Sequence, residues 1–139
     1  MALVLDTGPI VALLDASDPE HERCVQMVAE RPREDLVVPA PVLVEVDYWL
    51  WKLYGADPWE AFVADVAEGA YRLHQLDEHD LLRSAELERT YASLQLGFVD
   101  ASVVVTCERL GETKVATLDP RHFSIVRPRH CEALTLLPG

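Results

Sequence analysis

ALVLDTGPIVALL, residues 2–14, is the stretch on which the reading of this chain turns. A short apolar run ends at Asp6, Thr7-Gly8 follows, and a second apolar run begins after Pro9. Asp-Thr-Gly is also the tripeptide of aspartic proteases. Those enzymes hold it in a loop of an all-β fold, where two aspartates come together and share a proton. Here the continuation, PIVALLDASDPEHERCVQMV (9–28), is helical in period and in its caps, so that context is absent. Asp6 is therefore read as an acid at the carboxyl end of a buried parallel strand, where open α/β sheets place their ligands.

Working outward, short apolar runs alternate with helical patterns. Strands are expected at 2–6, 36–38, 71–75, 114–118 and 133–137. Asp18-Pro19 and Asp57-Pro58 each pair a cap with proline at the first helical position, opening helices to about Glu30 and Gly69. A helix over 41–54 ends at Gly55, and one over 99–110 ends at Gly111. Asp77 caps a long helix that runs to near Gly97. Strands alternating with helices predict a single α/β domain over 1–139, with a mainly parallel sheet covered by helices on both faces.

Half of the residues are hydrophobic and about a quarter charged, the composition of a soluble globular protein. No apolar stretch approaches the roughly 18 residues of a membrane span, and no basic segment precedes the first apolar run as in a signal peptide. Cys24, Cys107 and Cys131 cannot all pair and form no Cys-x-x-Cys, which fits a reducing, cytoplasmic compartment. A zinc site from Cys107, Cys131, His122 and His130 lacks ligand spacing. The net charge of −12 argues against a protein that coats nucleic acid generally. The charge is uneven: residues 106–139 balance at +1, leaving −13 on the first 105.

Three further acids point toward Asp6. Asp119 ends the strand expected at 114–118, and two acids at equivalent ends of neighbouring parallel strands converge on one crevice. Glu45 lies at the edge of the stripe Val42, Val46, Trp49, Leu50 and Leu53, with no basic residue before it in its helix. Asp100 opens a helix whose inner stripe is Val103, Val104 and Cys107, and it shares that stripe in the first turn. Four such carboxylates without a lysine beside them need a cation to stay ionised together. Hard oxygen donors favour Mg²⁺ or Mn²⁺, and a carboxylate cage of that kind suits phosphoryl transfer.

These stretches, in this order, resemble the PIN-domain ribonucleases, and among them the VapC-type toxins of toxin–antitoxin pairs. The resemblance spans essentially the whole chain: LDTG (5–8), VPAPVLVEV (38–46) with Glu45, GFVDASVVVTCERLG (97–111) with Asp100, and VATLDPRHF (115–123) with Thr117, Asp119 and Phe123. It implies a three-layer PIN-like fold and a site built from Asp6, Glu45, Asp100 and Asp119. Asp6, Asp100 and Asp119 would be the metal ligands, and Glu45 would act directly or through water. Thr117 would be the hydroxyl near the site and Thr7 the small hydroxyl residue after the first acid. The implied reaction is Mg²⁺-dependent hydrolysis of RNA, in tRNA or rRNA, leaving a 5′-phosphate and a 3′-hydroxyl. In one departure, Pro120-Arg121-His122 follow Asp119, where many relatives carry an acidic or polar residue two positions on, which weakens the case for a second metal. Arg121, His122, Arg127 and Arg129 are candidate contacts to the RNA backbone.

The helix at 41–54 has a second face of Val44, Tyr48 and Trp51. Burial within the monomer is its simplest reading. The resemblance raises a partner surface instead, since VapC-type toxins pair as homodimers and accept an antitoxin helix in an apolar groove. Two alternatives remain beside the nuclease. One is a PIN-like module that binds RNA or protein without cutting. The other is a phosphoacceptor domain, which needs a lysine near its acids, whereas Lys114 starts its strand at the far end.

Overall fold

A computed structural model describes residues 1–139. Five strands form one sheet in the order β3-β2-β1-β4-β5, all parallel: β1 (Ala2–Leu5), β2 (Asp35–Pro39), β3 (Arg72–His74), β4 (Lys114–Ala116) and β5 (Thr135–Leu137). Register is set by Val4, which faces Val37 of β2 on one side and Val115 of β4 on the other. All four residues of β1 are buried, as expected of a central strand covered on both faces.

Helices α1 (Thr7–Leu14), α2 (His21–Ala29), α3 (Val42–Tyr54) and α4 (Asp57–Ala67) lie on the crossovers that step from β1 to β2 to β3. The return from β3 past β1 to β4 carries α5 (Glu78–Thr90) and α6 (Phe98–Leu110). Right-handed crossovers running in opposite directions place their helices on opposite faces, giving three layers. The strand order reverses at β1, so a crevice opens at the carboxyl ends of β1 and β4.

Local signals explain most boundaries. Asp77 and Asp80 form a reciprocal capping box at the start of α5. Gly55 and Gly111 stop α3 and α6 with φ of 86° and 67°. Arg83 forks onto Glu108 with two 2.9 Å bonds, tying α5 to α6. One contiguous apolar core joins both faces of the sheet, with Leu3, Leu5, Val37, Val104 and Phe123 almost wholly buried.

The structure differs from the sequence expectation in four places. The helix expected to run from Asp77 to Gly97 ends at Thr90; a short 3-10 turn (Ala92–Leu94) follows, and Gln95 takes a left-handed φ of 56°. Leu96 is pulled into the core beyond that break, and the Tyr91 hydroxyl accepts the Arg127 N–H at 2.9 Å, so long-range contacts override the helical pattern. Helix α2 starts at His21 rather than at Pro19. Strand β4 stops at Ala116, which leaves Thr117 at its end and Asp119 in the loop beyond. Finally, the inner stripe of α3 is narrower than its pattern: Val42, Val46 and Leu50 are fully buried, while Trp49 and Leu53 are 42% and 53% exposed.

Candidate active site

The carboxyl end of the β1/β4 crevice holds a cavity of about 450 Å³. Asp6, Glu45, Asp100 and Asp119 all line it, and so do Thr7 and His122. Its apolar wall is Val11, Trp49, Leu53 and Leu118. No lysine or arginine belongs to the lining. The four acids singled out from sequence thus share one crevice, although only Asp6 directly follows a strand.

Asp6 sits between β1 and α1 with extended backbone and does not cap the helix. Its N–H donates to Ala116 O at 2.9 Å, which fixes it against the end of β4. The Thr117 hydroxyl donates to Asp6 Oδ2 at 2.9 Å and accepts the Asp119 N–H at 3.1 Å. One side chain therefore links the strand-end acid to the loop acid. Asp6 is only 9% exposed. Burial pushes its carboxyl from the usual 3.8 up to about 6, opposed by hydrogen bonds from Thr7 and Thr117 and reinforced by the charges of Asp100 and Glu45.

Glu45 enters from the first turn of α3, where the Thr7 hydroxyl donates to its Oε1 at 2.7 Å. Asp100 lies in the first turn of α6, one helical turn above the buried Val103 and Val104. His122 Nδ1 is 2.8 Å from Asp100 Oδ2; a carboxylate can only accept, so Nδ1 carries the proton there. Asp119 is the most open of the four, and Arg121 grips both its oxygens at 2.8 and 2.7 Å. That guanidinium holds the Asp119 carboxyl below the usual carboxylate range.

No three His, Cys, Asp or Glu side chains stand as a ready-formed ligand set. His122 and Arg121 engage two of the four acids. The donor chemistry nevertheless fits a hard divalent ion. The lining offers carboxylate oxygens from α3, α6, the β1–α1 junction and the loop after β4, includes no lysine or arginine, and contains one acid that burial disfavours as an anion.

Six lining residues, Gly8, Val11, Asp18, Trp49, Leu53 and Leu118, are not among the sequence candidates, and two of them are informative. Gly8 allows α1 to approach the loop after β4: a Cβ there would stand 3.2 Å from Leu118 Cβ. Asp18 was read as a helix cap because of the proline after it; it lines the cavity, and its Oδ1 accepts the Glu20 N–H at 2.8 Å. Cys24, Cys107 and Cys131 are free thiols.

The chain is similar to several known proteins along most of its length. Residues 3–127 match the PIN domain model. Ribonuclease VapC26 of Mycobacterium tuberculosis is 29% identical over 136 residues, covering 98% of this chain and 100% of that protein. The crystal structure of Mycobacterium tuberculosis VapC20, a Sarcin-Ricin loop cleaving toxin, superposes with a TM-score of 0.78 at 19% identity, covering 86% of this chain and 91% of that one. A toxin–antitoxin complex from Klebsiella pneumoniae gives a TM-score of 0.69 at 16% identity over 91% and 92% of the two chains. The latter two likenesses concern the fold, whereas the domain match extends through β4 and the loop with Asp119. The chain belongs to the PIN-domain family.

Proposed function

We propose that this protein is a metal-dependent endoribonuclease, the toxin of a toxin–antitoxin pair. The observation that carries the reading is the convergence of Asp6, Glu45, Asp100 and Asp119 on one lysine-free crevice in a PIN-domain chain. Its 29%-identical relative is a ribonuclease, and its structural neighbours include toxin–antitoxin complexes. The substrate is RNA, and a loop or other unpaired segment of tRNA or rRNA suits the open crevice.

Asp6, Asp100 and Asp119 are assigned as ligands of Mg²⁺, with Mn²⁺ as a substitute, and Glu45 as an acid acting directly or through water. A divalent ion held there supplies an activated water and stabilises charge on the phosphorus oxygens. Thr117 orients Asp6 by its 2.9 Å bond, and Thr7 orients Glu45 by its 2.7 Å bond. His122 holds one oxygen of Asp100 and Arg121 holds both of Asp119, so a ligand role competes with those contacts, most of all at Asp119. The Arg121 fork is exposed to solvent, which screens it and leaves Asp119 open to exchange this partner for a metal ion.

No helix is long and apolar enough to cross a membrane. Free thiols at Cys24, Cys107 and Cys131 support a reducing, cytoplasmic setting. On α3, Val44, Tyr48 and Trp51 are 72%, 55% and 62% exposed, which departs from burial within the monomer and supports a surface for a homodimer or antitoxin.

The test is cleavage of total RNA by partner-free protein, with Mg²⁺ and with chelator. Discrete fragments that vanish with chelator, and with Asp100→Asn at unchanged circular dichroism, are the expected result. Cutting retained by Asp100→Asn would overturn the ligand assignment. A second reading, a PIN module that binds without cutting, draws on the engagement of Asp100 and Asp119 by His122 and Arg121. Folded protein inert with every divalent ion would favour it.

A further inference from the structure

Trp49 stands about one helical turn beyond Glu45 on α3, about 6 Å further along the axis, and both line the same cavity. Its ring is 42% exposed, although Val46 and Leu50 on either side of it are fully buried. Tyr48 meets the ring edge-on, with centroids 5.3 Å apart and planes at 85°. Lys52, the one basic residue of α3, places Nζ 5.4 Å from the Trp49 centroid and 5.6 Å from that of Tyr48. A half-exposed indole with an ammonium beside it therefore borders the acidic crevice.

We propose that Trp49 and Lys52 form a nucleotide shelf. The base next to the scissile phosphate stacks on the indole, and Lys52 meets the phosphate on that base's far side. This rests on the ribonuclease reading and adds to it how an acidic protein holds its substrate. The body of the chain repels RNA, with −13 over its first 105 residues, so affinity near the crevice must come from stacking and from locally placed cations. An aromatic face beside a cation is the pairing that single-stranded nucleic acid uses. An apolar side chain of a protein partner would use the ring but has no need of the ammonium. Only an unpaired base can reach the indole, so the shelf selects unpaired RNA over a duplex.

The test uses Asp6→Asn protein, which binds without cutting, titrated in Mg²⁺ with a fluorescently labelled single-stranded RNA and with its duplex. Trp49→Ala lowers affinity for the single strand about tenfold or more, and Trp49→Phe recovers most of it. Lys52→Gln flattens the dependence of log K on log salt by about 0.7, the slope of one phosphate contact on a single strand. Wild-type cleavage of total RNA is run alongside. Cleavage together with RNA binding indifferent to Trp49→Ala overturns the shelf and leaves the nuclease standing. Neither cleavage nor binding overturns both. Loss of a protein partner by Trp49→Ala at unchanged RNA affinity assigns the ring to that partner and likewise overturns the shelf.

Discussion

The Thr117 hydroxyl joins Asp6 across the β1/β4 switch point with a 2.9 Å bond while accepting the Asp119 N–H at 3.1 Å. A single hydroxyl thus sets the distance between two of the proposed ligands. Thr117 is 5% exposed, so water cannot readily replace it. Thr117→Val should remove a bond to a charged acceptor worth about 1.5–3 kcal/mol and reduce both stability and Mg²⁺-dependent cleavage. Thr117→Ser should keep most of both. Urea midpoints and cleavage rates across a Mg²⁺ titration measure the pair, and equal behaviour of Val and wild type would remove Thr117 from the site.

Asp6 makes folding depend on pH. Its unfolded carboxyl ionises near 3.8 and its folded one near 6, so between those values the native state holds the proton more tightly. Its contribution to stability is therefore greatest below pH 3.8, falls as pH rises, and is lowest above about 6. The span amounts to roughly 3 kcal/mol. In chelator, Asp6→Asn should gain on wild type by on the order of 2 kcal/mol between about pH 4.5 and about pH 7.5. A stability difference that stays constant across that range would show that burial does not disfavour this anion.

Metal binding should reverse that cost. A divalent ion that binds only the folded protein stabilises it by about 2.7 kcal/mol at a hundredfold excess over Kd. Mg²⁺ or Mn²⁺ should raise the melting temperature of wild type and have little effect on Asp6→Asn or Asp100→Asn. Equal shifts in all three proteins would place the ion elsewhere.

Gly8 offers a steric test that leaves every acid in place. Alanine there improves helix propensity by up to about 1 kcal/mol but sets a Cβ 3.2 Å from Leu118 Cβ. Stability should change little, while the loop that carries Asp119 shifts by a few tenths of an ångström. A several-fold loss of cleavage at a near-wild-type melting temperature is expected, since small misplacements at a reacting centre are costly. Full activity in Gly8→Ala would mean that the Leu118 contact does not set the position of Asp119.

On α3, Tyr48→Ser with Trp51→Ser removes two exposed aromatic rings from the proposed partner face. Sedimentation should shift from dimer toward monomer at equal concentration. An unchanged dimer would free this face for the antitoxin alone.

Asp6 and Asp100 could be read from sequence because each ends or begins an element whose apolar pattern is unambiguous. Asp119 drew attention for a less secure reason, since its strand stops three residues earlier and the loop carries it into the crevice. Trp49 and Leu53 show a limit of periodicity: an apolar residue on a helix face looks the same whether it fills a core or walls a cavity. The break after Thr90 had no local signal at all, because Gln95 takes a left-handed conformation that is usual for glycine, under the pull of Leu96 and the Tyr91–Arg127 bond. The pairings of His122 with Asp100 and Arg121 with Asp119 depend on side-chain geometry that spacing does not encode.

The bond between Thr117 and Asp6 spans 111 residues of sequence. Every strand of the sheet is parallel, so no part of the crevice can close as a local hairpin. During synthesis, Asp6 and Glu45 emerge long before β4 and Asp100 only 14 residues ahead of it, and until β4 follows the edge against which Asp6 docks is missing. A nascent chain that ends short of β4 holds three of the four acids and no crevice. The crevice is therefore among the last parts of the fold that can form, whatever the order in which the helices appear.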